Sequence, residues 1–185
     1  IASVYYFQRE KYWSAGIWGA VAAATKSPGI LLFLAYFFYL VVPQLRRLLS
    51  TSISSWLKLI KLDKAYPLLL IPLSLLAVFV LYKFTFNDFL AYFHSGDNIH
   101  VFFPPFSIFN YTSPWVGTTC LEEIIFVYFL GGLGLLKLIR QKRYELATFV
   151  GIFFVSILFV SHRDLIRYAL PIVPFLFVAF SDTLI

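Results

Sequence analysis

The sequence predicts an all-α chain, a polytopic bundle of transmembrane helices, on three observations. Of its 185 residues, 61% are apolar and only 13% charged, where an ordinary soluble domain is about 45–50% apolar and about 25% charged. Aromatic residues make up 21%, with 22 Phe and 12 Tyr, the opposite of a disordered composition. The apolar residues also fall in runs approaching the roughly 20 residues that cross a hydrocarbon core of about 30 Å. A soluble fold of this size could not hide so much apolar surface. Residues 1–185 are therefore expected to form part of one transmembrane domain of about six spans, one of them short or broken.

In order, Ile1 to Phe7 reads as the end of an earlier span. The chain contains no Met and Ile1 already sits in an apolar run, so the sequence reads as an internal or C-terminal piece of a longer protein. Tyr12 to Ala24 is apolar but would rise only about 20 Å at 1.5 Å per residue. Ile30 to Val42 follows, stopped by Pro43 and the Arg46–Arg47 pair. Either 12–42 is one long helix, or two short ones meet at Thr25–Gly29; Pro28 and Gly29 favour the broken pair. Ala15, Gly16, Gly19, Ala20 and Ala23 put small residues on one side and permit close packing. Residues 44–64 set Trp56, Leu57, Leu59, Ile60 and Leu62 among lysines, the pattern of an amphipathic connection on an anionic leaflet. Ala65 to Phe84 is a full span with only Lys83 charged. After a long polar and aromatic loop, 85–117, come Thr118 to Ile139, Tyr144 to Ser161 and Tyr168 to Ile185.

Charge orients these spans. With 12–42 as a hairpin, one side collects Arg9, Lys11, Arg46, Arg47, Lys58, Lys61, Lys64, Lys137, Arg140, Lys142 and Arg143. The other receives Lys26, Lys83, Arg163 and Arg167, so the split is eleven to four. Excess Lys and Arg mark the cytoplasmic side. The Lys26 break, the 85–117 loop and the basic turn 161–167 are then external, in an integral multi-pass protein. A net charge of +6 follows from this sorting and does not call for a nucleic-acid partner.

Chemistry is expected where polar groups gather on the outer side. Arg163 and Arg167 are spaced i, i+4 and share a face at a helix start; their guanidinium forks suit phosphate. The plainer alternative is that Asp164 pairs with one of them and the rest reach for head groups. Lys26 sits beside Ser27, just before a helix whose amides face outward, which favours an anion; a lysine anchored at the interface is the equal alternative. The loop offers Asp88, His94, Asp97, Asn98, His100 and Asn110. His94, Asp97 and His100 match no firm metal pattern. Phe102–Phe106 with Trp115 suggests a loop pressed on the membrane surface, and Asn110-Tyr111-Thr112 fits a glycosylation sequon. Glu122 and Glu123 suit a helix N-terminus. Gly131-Gly132-Leu133-Gly134 lies in an apolar span with no preceding strand, so it reads as helix packing rather than a phosphate loop. The lone Cys120 cannot form a disulfide within the chain.

Residues 15–29, Ala-Gly-Ile-Trp-Gly-Ala-Val-Ala-Ala-Ala-Thr-Lys-Ser-Pro-Gly, resemble the alanine-rich helix ending in Thr-Lys/Arg-x-x-Gly of polytopic C-type (GT-C) glycosyltransferases. His162-Arg163-Asp164-Leu165-Ile166-Arg167-Tyr168-Ala169-Leu170-Pro171 resembles their later basic-acidic-Arg-aromatic motif. Residues 87–93, Asn-Asp-Phe-Leu-Ala-Tyr-Phe, are similar to a loop opening in the PIG-V-like mannosyltransferase branch, whose common pattern has two consecutive acids where Asp164 is followed by Leu165 and Ile166. The resemblance implies a fragment of a larger GT-C-like membrane domain. It implies transfer of mannose or a similar hexose from a polyprenyl-phosphate sugar to an acceptor glycan, lipid or protein at the non-cytoplasmic face, among membrane lipids. It implies substrate binding by Lys26, His162, Arg163, Asp164, Arg167 and Tyr168. Its catalytic acid would lie upstream of Ile1, with Asp97 a poor substitute. It implies no firm cofactor and leaves a divalent metal open. The rival classes are a polytopic transporter and a non-catalytic membrane subunit. Against the first, the central spans carry almost no ionisable residue.

Overall fold

The structure is a computed structural model and describes residues 1–42, 65–94, 101–109, 121–161 and 165–184. The described residues are helical, with one isolated antiparallel bridge between Val101 and Val160. The all-α expectation holds for them. The amphipathic connection expected at 44–64 lies outside them. The chain forms two compact units, Ile1–Gly96 and Asp97–Ile185.

The first unit is built on α1 (Ala2–Gln8), α2 (Tyr12–Thr25), α3 (Leu31–Val41), α4 (Leu70–Phe86) and the short α5 (Ala91–His94). The break expected inside 12–42 is present. Lys26 is extended, Ser27–Ile30 form one 3₁₀ turn with Pro28 at its start, and α3 follows directly. Proline has no N–H to donate and suits only the first turn of a new helix. The pair folds back as a hairpin, because the Phe7 ring meets both Tyr12, which opens α2, and Tyr39, near the end of α3. Phe7 also stacks on Tyr36 at 4.0 Å between centroids. Buried Ser3 closes this corner: its hydroxyl lies 2.7 Å from both the Ala15 carbonyl and the Tyr36 hydroxyl.

The small-residue side of α2 receives α4. Gly16 faces the Pro67 carbonyl, Gly19 faces the Ile71 side chain, and Ser74 Oγ donates to the Ala20 carbonyl at 3.0 Å. Both series ascend, so α2 and α4 run parallel. The 3₁₀ turn Tyr66–Leu69 leads into α4 without a break. Tyr66–Phe86 is long and apolar enough to cross a membrane, and only 11% of its most apolar window is buried. Leu73, Leu76, Leu81 and Phe84 are all exposed. A core helix of a water-soluble fold would bury that apolar surface.

The second unit contains the 3₁₀ turn Ser107–Phe109, α6 (Leu121–Arg140), α7 (Tyr144–Leu158), α8 (Leu165–Ala169) and α9 (Val173–Leu184). Helices α6 and α7 form an antiparallel hairpin closed by Arg143 N–H donating to the Leu138 carbonyl, with Lys142 left-handed at φ 58°. The glycines of α6 are packing notches, as expected: Gly131 receives the Phe154 ring of α7 and Gly134 the Leu176 side chain of α9. Sequence apolarity suggested one span from Tyr168 to Ile185, and here the structure differs. Leu170–Ile172 form a turn between α8 and α9. Pro171 and Pro174 explain it, since a proline inside a helix removes a hydrogen bond and clashes with the preceding turn.

Candidate functional site

The two ends of the first unit differ in chemistry. Arg9, Glu10 and Lys11 join α1 to α2, and Trp13 packs edge-on against Tyr66 at that end. The opposite end carries the Lys26 break. Lys26 is exposed; its N–H donates to the Ala22 carbonyl, and its carbonyl accepts from Gly29 N–H at 2.8 Å. Ser27 Oγ donates to Tyr92 Oη at 2.8 Å and ties the break to the start of the long loop.

That start of the loop is ordered by its own polar groups. Asn87 ends α4 in the left-handed conformation, and Lys83 Nζ donates to its carbonyl and side-chain oxygens, both at 3.1 Å. Asp88 Oδ1 accepts the Leu90 N–H at 2.9 Å, an Asx turn, while Oδ2 lies 2.6 Å from His94 Nδ1. The hydrogen bond from His94 holds the exposed Asp88 carboxyl below its ordinary value of 3.8. Phe89 and Phe93 pack on Phe79 of α4 and seat the loop on the helix.

In the second unit, the Phe-rich stretch is fastened to the chain that enters the basic turn. Phe102 N–H donates to the Phe159 carbonyl at 2.8 Å, Phe106 N–H to the Leu158 carbonyl at 2.7 Å, and Val101 bridges Val160. Phe106 and Phe109 meet the Tyr128 ring, Ile108 is buried, and Phe103 projects with 89% of its surface exposed. The next residue along, Ser161, is only 4% exposed, and its hydroxyl has no hydrogen-bond partner among the described residues. On α8, Leu165 and Ala169 are buried one turn apart, which leaves Arg167 on the exposed side with Tyr168 half-buried beside it.

Comparison with protein-family models, curated proteins and solved structures gives no significant match.

Of the residues expected to bind substrate, Lys26 lies in the first unit, and Arg167 and Tyr168 lie in the second. His162, Arg163 and Asp164 fall outside the described residues, as does the weak catalytic candidate Asp97. Among the described residues no three His, Cys, Asp or Glu side chains converge as metal ligands. Sequence reasoning named Asp88 and His94 separately and missed their pairing, which depends on a turn that only Asp88 itself caps. It also passed over Tyr92 and the buried Ser161 hydroxyl. Ser161 could have been found, since a serine that closes an apolar helix and precedes a basic run is a polar group with few ways to be satisfied.

Proposed function

We propose that the chain is part of a multi-pass membrane glycosyltransferase that moves a sugar from a polyprenyl-phosphate donor to an acceptor at the non-cytoplasmic face. The observation that carries this reading is the fastening of the Phe-rich loop to residues 158–160, directly before the basic turn. An aromatic, lipid-compatible cover beside a cationic turn is what a lipid-linked phosphate requires. The chain would hold its prenyl tail in an apolar layer and its charged leaving group at the membrane edge. The exposed apolar surface of α4 supports the membrane setting. The resemblance of 15–29 and 162–171 to C-type glycosyltransferases supports the reaction class.

In this reading Arg167 and Arg163 hold the donor phosphate as charge develops on it. The test is sugar transfer from a polyprenyl-phosphate sugar by the complete protein in liposomes. Arg167→Ala is expected to lower turnover about a hundredfold or more, the loss of one charge-assisted contact at a developing anion, roughly 3–4 kcal/mol. Arg167→Lys should restore part of it, because the charge stays while the planar fork is lost. Near-normal transfer by Arg163→Ala/Arg167→Ala protein of normal yield would remove the arginines from the mechanism.

A further inference from the structure

Helices α6 and α9 run parallel in the second unit and leave a groove between them of about 460 Å³, lined by Leu130, Leu133, Val173, Leu176, Phe177 and Phe180. Its walls are almost wholly apolar, and Phe177 and Leu130 are exposed along it. The groove does not end in apolar residues. It continues, sharing Leu133 and Phe180, into a second cavity of about 440 Å³ lined by Lys137, Arg140, Gln141 and Asp182.

The polar groups there are arranged with capacity to spare. Lys137 donates to Thr183 Oγ1 and its ammonium lies 5.2 Å from the centroid of the Phe180 ring, with no carboxylate paired to it among the described residues. An ammonium has three donors, so two are left for a ligand. Among the described residues Asp182 is the one acid on this cavity, and it accepts from Gln141 Nε2 at 3.1 Å. The same amide nitrogen donates to the Ala179 carbonyl at 3.1 Å, and Gln141 Oε1 is buried with no partner among the described residues. Arg140 is exposed at the mouth, and Lys142 and Arg143 follow in the adjoining turn.

We infer that this groove binds one anionic phospholipid, with an acyl chain along α6 and α9 and its phosphate held by Lys137 and Arg140. Charge complementarity selects this occupant over a neutral lipid: two cations with spare donors stand where the apolar groove ends, the depth at which a lipid carries its phosphate. An apolar helix of a protein partner would satisfy the walls but would leave those donors unmet. The inference rests on the membrane setting proposed above and is independent of sugar transfer.

The test is native mass spectrometry of the full chain released from micelles doped with equal phosphatidylglycerol and phosphatidylcholine. The wild type should retain phosphatidylglycerol at least about tenfold over phosphatidylcholine. Lys137→Gln/Arg140→Gln should abolish the preference, and Leu133→Trp, which fills the groove, should reduce retention of both lipids. Inorganic phosphate at millimolar concentration should not displace the bound lipid. Equal retention of the two lipids by the wild type would overturn the inference without reference to any variant. So would an undiminished preference in the double variant, or full displacement by free phosphate. Sugar transfer assayed on the same preparation separates failure here from failure of the enzyme reading.

Discussion

Both units pack a parallel pair of helices through glycine, and they do it differently. In the first unit a Cβ added at Gly16 would overlap the Pro67 carbonyl oxygen and lie 2.9 Å from its carbon, so two backbones touch. In the second unit a Cβ at Gly134 would meet the tip of the Leu176 side chain, with its Cγ at 3.6 Å. One contact is between rigid main chains; the other is a flexible knob in a notch. Small residues mark close helix approach in a membrane, but the neighbour decides whether the small residue is replaceable. The first unit is therefore expected to be intolerant at its α2–α4 seam and the second forgiving at its α6–α9 seam.

The largest expected effect is at Gly16. Gly16→Ala must push α4 away along its length, since a carbonyl cannot rotate aside. We expect a loss of about 2–3 kcal/mol or more, the upper range for overpacking, read as a lowered melting temperature in detergent. A melting temperature at or above wild type would break the comparison. An intermediate case sharpens it: Gly134→Ala should shift stability by less than about 1 kcal/mol, because Leu176 can change rotamer and the helix gains about 0.5–1 kcal/mol from Ala. Gly132→Ala, whose nearest atom would be Phe154 Cζ at an ordinary 3.7 Å, should be neutral or stabilising by up to about 1 kcal/mol. If Gly134→Ala loses as much as Gly16→Ala, the second seam is as rigid as the first; Gly132→Ala, which faces Phe154 of α7, is the control.

The smallest expected effect lies at the exposed end of the first unit, where hydrogen bonds rather than packing hold the chain. Asp88 has a lowered folded value, so its contribution to the turn is present above about 3.8 and is lost as pH falls through the lower folded value. Hydrogen exchange at the Leu90 amide, which Asp88 Oδ1 accepts, should rise relative to its neighbours in that acid range and not between pH 5 and 7. Asp88→Ala, which removes the acceptor, should raise it between pH 5 and 7 and remove the acid-range rise, while leaving global stability near wild type.

How much of this was legible depended on whether the signal was local. Pro28 and Gly29 marked the break after α2 because proline and glycine act on their own turn. The same rule applied to Pro171, but the unbroken apolar stretch from Tyr168 hid the turn between α8 and α9. The small residues of α2 announced a close partner without saying that the Pro67 carbonyl, in the 3₁₀ turn that leads into α4, would be the point of contact. In the candidate site, single charges such as Lys26 and Arg167 stood out against their apolar surroundings. Asp88 and His94 did not announce a pair, because six residues apart they meet only through the turn between them. The fastening of Phe102 and Phe106 to residues 158–159 spans some fifty positions of sequence, a distance at which no periodicity speaks.

The approach of Pro67 to Gly16 has one more consequence. Where a side chain would overlap the carbonyl oxygen, the glycine carries a hydrogen, and that hydrogen must point at the oxygen. Gly16 is therefore a donor as well as a gap, through a Cα–H···O bond worth about half of an amide bond in an apolar medium. Selective deuteration at the Gly16 α-carbon should give a C–D stretch displaced from that of Gly132, whose corresponding hydrogen faces only the edge of a ring.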